Sequence, residues 1–113
     1  IIAGSRHFND YLLLKEKCDL LLARRHPDIV IISGCARGAD TLGEQYAQEK
    51  GYEIQKYPAN WDTFGKAAGP IRNRQMAENA DALIAFLAPN SRGTASMIAI
   101  ARELNLLVRV VNV

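Results

Sequence analysis

The chain has 113 residues, enough for one domain of ordinary size and too few for two. Hydrophobic residues make up 49% and charged residues 23%, close to an average soluble globular domain, which excludes a disordered or fibrous chain. Fourteen basic against twelve acidic side chains leave a formal charge of +2. That balance announces no polyanion partner and weighs against nucleic-acid binding without excluding it, because such modules usually carry a clear basic excess.

Residues 1–3, IIA, read as the second half of a strand, so part of the N-terminal strand is expected to be missing ahead of Ile1. GSRHF at 4–8 follows as a turn. Leu14, Cys18, Leu21 and Leu22 then recur at offsets of four, seven and eight, the buried face of an amphipathic helix. Asn9 and Asp10 stand ahead of it as candidate caps. Cys18 lies in the apolar stripe and reads as a buried, inert thiol, and His26 reads as a helix end before Pro27. Residues 29–33 form a second strand, left through SGCARGAD. Leu42, Tyr46 and Ala47 mark a second helix, closed by Gly51. Residues 53–57 form a third strand, followed by PANW. Pro70 sits in the first turn of a third helix with Met76 and Ala77 facing inward. Residues 82–87 form a fourth strand, left through PNSRGT. Met97, Ala101 and Leu104 stripe a fourth helix, and residues 107–111 form a fifth strand.

Alternating strands and helices, with near-continuous apolar strands, predict an α/β fold. Its expected form is a Rossmann-like, doubly wound three-layer sandwich with a parallel sheet of about five strands. No repeat or linker interrupts residues 1–113, so a single domain is expected. Cys18 and Cys35 have neither metal-ligand spacing nor a disulfide framework, and His7 and His26 lack neighbours for a metal or catalytic set. No signal peptide or long apolar run is present, which points to a cytoplasmic protein without a membrane partner.

In such a sheet, ligands bind at the carboxyl ends of the strands, near the point where strand order reverses. GSRHF, SGCARGAD, PANW and PNSRGT all fall at that edge, and the helix opening GPIRNR starts there too. Gly34 and Gly38 allow unusual dihedrals and close approach to the main chain, and the helix starting near Gly38 offers free N–H groups to an anion. Gly93 and Thr94 repeat the arrangement. Arg6, Arg37, Arg72, Arg74 and Arg92 supply guanidinium groups that match phosphate oxygens bidentately. Asp40 could accept hydrogen bonds from ribose hydroxyls, so a phosphorylated sugar or nucleotide is the simplest ligand satisfying both signs. The expected binding residues are Gly4, Ser5, Arg6, Ser33, Gly34, Ala36, Arg37, Gly38, Asp40, Trp61, Lys66, Arg72, Asn73, Ser91, Arg92, Gly93 and Thr94. Trp61 or Phe64 would flank a base. Neither the Walker spacing nor a G-x-G-x-x-G fingerprint occurs, and no metal or further cofactor is assigned.

Together, AGSRHFNDY, SGCARGADTLGEQYA, PANWDTFGKAAGPIRNRQM and RGTASMI resemble the YspA-type, YpsA-related branch of the SLOG superfamily. These Rossmann-like domains are grouped with the Lonely Guy (LOG) nucleotide phosphoribohydrolases and the DNA-processing protein DprA. The likeness runs in order over nearly the whole chain, and GKAAGPIRNRQM is its most specific part. It implies a domain that binds or senses a nucleotide or nucleotide-derived ligand, of the ADP-ribose, NAD or mononucleotide type. The LOG resemblance implies an alternative, hydrolysis of an N-glycosidic or phosphate bond, with Arg72 at the position of the family's arginine. Asn90 and Ser91 stand at two of that family's glycines, and Met97 stands at its glutamate. A methionine can neither stabilise an oxocarbenium-like state nor move a proton, which argues against LOG-type catalysis. Arg72, Asp40 and Glu44 remain the catalytic candidates, with Asp62 as another substitute carboxylate. DprA shares the SG-x-A-R-G-x-D signature, which implies single-stranded DNA as a further alternative, with Tyr57, Trp61 and Phe64 as the nearby aromatics. Relatives in the superfamily commonly pair, so a homodimer is expected.

Overall fold

In a computed structural model describing residues 1–24 and 28–113, five strands are present: β1 (Ile2–Gly4), β2 (Val30–Ser33), β3 (Glu53–Lys56), β4 (Ala82–Leu87) and β5 (Leu107–Asn112). The helices are α1 (Tyr11–Leu22), α2 (Ala39–Lys50), α3 (Trp61–Phe64), α4 (Ala68–Glu78) and α5 (Arg92–Glu103), and a 3-10 turn at Gly65–Ala67 joins α3 to α4. His26 and Pro27, read as a helix end, lie outside the described residues.

Successive side chains of a strand point to opposite faces, and that alternation sorts the core into two halves. Ile2, Ile31, Ile84 and Phe86 pack with Leu14 and Cys18 of α1 and Tyr46 and Ala47 of α2. Ala3, Ile32, Leu83 and Ala85 pack with Met76 and Ala77 of α4 and Met97, Ile98 and Ala101 of α5. Helices therefore cover both faces, giving the three layers. Local signals set the helix ends. Asp10 caps α1 by accepting from the Leu13 N–H at 3.1 Å, and Gly51 closes α2 in the left-handed region at φ 75°. The periodicity did not reveal α3, which is one turn long and capped by Asn60, whose Oδ1 accepts from the Thr63 N–H.

All the strand pairs are parallel, but the five strands do not form one hydrogen-bonded sheet. They divide into a three-stranded sheet, β1-β4-β5, and a two-stranded sheet, β2-β3. The expectation of about five strands in one sheet is corrected accordingly. The break falls at one edge of β1. Its ladder joins β4 at Ile84, Ala85 and Phe86, and the flanking Ile1 carbonyl and Ser5 N–H also bond β4. Against β2 it packs by contact alone, with α2 resting on both strands. Strand order thus turns outward on either side of β1, and the crevice at its carboxyl end is the expected ligand position.

Candidate functional site

The turns after β1 and β2 lock into each other. The Ser5 carbonyl accepts from the Phe8 N–H and from the Ala39 N–H, both at 3.2 Å, so residues 5 and 39 tie the first turn to the start of α2. Gly38 lies at φ 77°, and a Cβ there would collide with the Ser5 carbonyl oxygen and the Arg6 backbone. Ser33 Oγ accepts from the Cys35 N–H at 3.1 Å and donates to Glu44 Oε2 at 2.6 Å. Asp40 Oδ2 accepts from the Ala36 N–H at 3.2 Å. Above Gly34, a Cβ would sit 2.8 Å from both Asp40 Oδ2 and Arg72 Nη1. That guanidinium donates to the Gly34 carbonyl, and its Nε donates to Asn73 Oδ1 at 2.8 Å. Several amides of the 34–39 turn are therefore bonded within the chain.

The Asp40 and Thr41 N–H groups have no acceptor among the described residues, and the start of α5 repeats that pattern in more open surroundings. Ser91 is its N-cap but makes no side-chain capping bond, Arg92 bonds back to the Asn90 carbonyl, and the first helical bond runs from Ala95 to Ser91 at 3.0 Å. Among the described residues, the Gly93 and Thr94 N–H groups have no acceptor. A Cβ on Gly93 would meet nothing within 4 Å. Gly93 and Thr94 line a cavity of about 460 Å³ at the carboxyl end of β1. Thr94 is only 6% exposed, and its hydroxyl makes no hydrogen bond among the described residues. Asn73, similarly buried, has its oxygen taken by Arg72 and lines the same cavity. Ser5 Oγ accepts from the His7 N–H at 3.2 Å, leaving its proton to give.

Charge follows the same pattern. Among the described residues, the ion pairs are Lys15–Glu49, Lys50–Asp19, Lys56–Glu44 and Arg74–Glu103. Arg6, Arg72 and Arg92, which line the cavity, join none of them. Burial pulls the Arg72 guanidinium below its ordinary value, while Asp40 opposes the change. Asp40 is the cavity's carboxylate among the described residues, and burial pushes it up to about 6 against the pull of the Ala36 N–H and Arg72.

A second lobe of about 450 Å³ adjoins the first across Arg6, Ala36, Trp61 and Arg72, which line both. It adds Gly34, Cys35 and Arg37 on one side and Pro58 and Ala59 on the other. Cys35 adopts φ 63°, a left-handed geometry stabilised by the bond of its N–H to Ser33. Trp61 stands at the junction half exposed, and Phe64 is similarly exposed on the same short helix.

Of the residues expected from the sequence, Gly4, Ser5, Arg6, Ala36, Asp40, Trp61, Arg72, Asn73, Ser91, Arg92, Gly93 and Thr94 all meet at the first lobe. Gly34 and Arg37 line the second. Ser33, Gly38, Glu44, Asp62 and Lys66 line neither. Ser33 and Glu44 bond each other beneath the turn, and Lys66 lies exposed in the 3-10 turn. Arg74 points away to Glu103. Met97, at the position of the LOG glutamate, is 1% exposed in the core beneath the first lobe. Sequence reasoning missed Ala3, His7, Gly69, Pro70, Met76, Asn90, Ser96 and Met97 on the first lobe and Cys35, Pro58 and Ala59 on the second. Most of these lie within or beside the rim motifs, so proximity to the rim was the available signal.

Parallel strands between two helical layers, with a donor-lined crevice at their carboxyl ends, define a Rossmann-like domain. A family model described as YspA, cpYpsA-related SLOG family matches residues 1–64, and the chain belongs to that family. Gene 61 protein of Mycobacterium phage D29 is 32% identical over 100 residues, spanning 83% of this chain and 80% of the phage protein. The solved structure of DNA processing protein A (DprA) from Streptococcus pneumoniae matches with a TM-score of 0.73 at 19% identity, over 96% of this chain. This chain covers 48% of that DprA chain, about half its length, and at such low identity the likeness establishes the fold. No helix among the described residues is long and apolar enough to cross a membrane.

Proposed function

We propose that this domain binds a nucleotide-type anion at the rim, with a phosphate on the open start of α5. The observation that carries this reading is the convergence on one cavity of the unspent Gly93 and Thr94 N–H groups, the buried Thr94 hydroxyl, and Arg6, Arg72 and Arg92, which join no ion pair among the described residues. A helix N-terminus with free donors favours an oxyanion, and guanidinium groups match its geometry. Asp40 is placed to accept from sugar hydroxyls, and the exposed face of Trp61 suits a base. Binding rather than turnover is the better reading, since buried Met97 offers no proton chemistry and Glu44 is engaged with Ser33 and Lys56. The family assignment supports a nucleotide-related role.

The test is thermal stabilisation by a panel of 5′-mononucleotides. A ligand at about 100 times its dissociation constant adds roughly 2.7 kcal/mol. The wild type should gain at least one such rise in melting temperature, and Arg92→Ala should lose it while its unliganded melting temperature stays put. Unchanged melting with every nucleotide tried would overturn the proposal.

Single-stranded DNA is the second reading, favoured by the exposed Trp61 and Phe64 beside arginines without carboxylate partners. The shared fold with a DNA processing protein agrees with it. Oligonucleotide affinity that falls steeply with salt would favour it.

A further inference from the structure

Resting on the nucleotide reading above, we infer that the second lobe is a second phosphate subsite and that the ligand carries two phosphates separated by a nucleoside. The two lobes meet at Trp61 and Arg72, so a base against the indole lies between them. One phosphate then reaches the start of α5 in the first lobe, and the next reaches Arg37 in the second.

Several observations converge on this. No carboxylate lines the second lobe, whereas Asp40 lines the first. Arg37 is exposed, enters no ion pair among the described residues, and touches the second lobe alone. Arg6 and Arg72 stand on the wall common to both lobes. The floor of Pro58 and Ala59 beside Trp61 supplies apolar surface for a sugar or second base. Each lobe, at about 450 Å³, is at the small end of ligand sites, which span about 300 to 1,000 Å³. The pair together suits a dinucleotide unit, whether free or part of a single strand.

Trp61 is the sole tryptophan of the chain and stands at the junction, so its fluorescence reports on the site directly. Titrations compare 5′-AMP with the 5′-phosphorylated dinucleotide pApA and with a twelve-nucleotide oligo(dA). On wild-type protein, pApA should bind at least tenfold tighter than 5′-AMP. Arg37→Ala, on an exposed residue, should erase that gain and leave the 5′-AMP affinity within twofold. Equal affinity for 5′-AMP and pApA, or equal weakening of both by Arg37→Ala, would overturn the second subsite and leave the mononucleotide reading standing. Failure of all three probes to bind would remove both. With the subsite upheld, tighter binding of the twelve-mer than of pApA identifies a strand as the source, and equal binding identifies a free dinucleotide.

Discussion

Helices α2 and α5 start from glycine-bearing turns at the same rim with the same backbone pattern, a bonded first N–H and two open ones, yet the surroundings of those turns differ. At α2, the Ser5 carbonyl takes the Ala39 N–H, the Asp40 carboxylate takes the Ala36 N–H, and Arg72 seals the Gly34 carbonyl. At α5, Gly93 has open space around it and the Thr94 hydroxyl makes no bond among the described residues, whereas the Thr41 hydroxyl of α2 donates to the Ala36 carbonyl. Two stretches that look equivalent in sequence thus differ in packing: the turn before α2 is interlocked with its neighbours, and the start of α5 is open above Gly93. Gly38 is pressed by its neighbours and acts as a packing device, whereas Gly93 stands beside empty space.

Five substitutions would break or sharpen that contrast. The largest effect should come from Gly38→Ala, which forces a side chain into positive φ and onto the Ser5 carbonyl and Arg6 backbone. Strain and overpacking together should cost about 3 kcal/mol or more, measured by urea unfolding. Its counterpart Gly93→Ala meets open space inside a helix, so it should stabilise by about 0.5–1 kcal/mol while weakening nucleotide affinity through the intruding methyl. A Gly38→Ala protein as stable as wild type would erase the distinction.

The next effect concerns pH. Burial raises Asp40 from 3.8 to about 6, so the folded state holds this proton more tightly than the unfolded chain. The carboxylate's cost is therefore absent below about pH 4, grows as pH rises through the window to about 6, and is complete above it. Asp40→Asn keeps an oxygen for the Ala36 N–H and removes that cost. It should gain on the order of 2–3 kcal/mol at pH 8, because each tenfold change in proton affinity between the folded and unfolded states is worth about 1.4 kcal/mol. The gain should vanish near pH 4, as followed by melting at both pH values.

Arg72→Ala should be intermediate, costing about 1–2 kcal/mol for the lost bond to the Gly34 carbonyl and also abolishing ligand-induced stabilisation. Arg74→Ala, on the same helix but paired with exposed Glu103, should cost about 0.5 kcal/mol and leave ligand affinity unchanged. Equal effects of the two on ligand affinity would show a diffuse field rather than a site.

Much of the fold was legible from local pattern. The 3.6-residue stripes located the four longer helices, as with Leu14 and Cys18 of α1 or Met97 and Ala101 of α5, because periodicity is a property of neighbours in the chain. The apolar runs located the five strands for the same reason. The short α3 escaped because one turn held by Asn60 has no period to read. The division into two sheets escaped because it depends on which backbone edge of three-residue β1 finds a partner, a choice made in space.

The site divides likewise. Sequence alone determined that glycines, arginines and one aspartate gather at the carboxyl edge of parallel strands, since chain order and strand direction put them there. Only the tertiary structure decided which donors are spent. Ser5, Arg72 and Asp40 lie far apart along the chain from the groups they satisfy, or meet them only once the turns interlock, and hydrogen bonds form between whatever folding brings within about 3 Å. That assignment interlocks the turn before α2, leaves the start of α5 open above Gly93, and sets the exposed indole of Trp61 between two lobes.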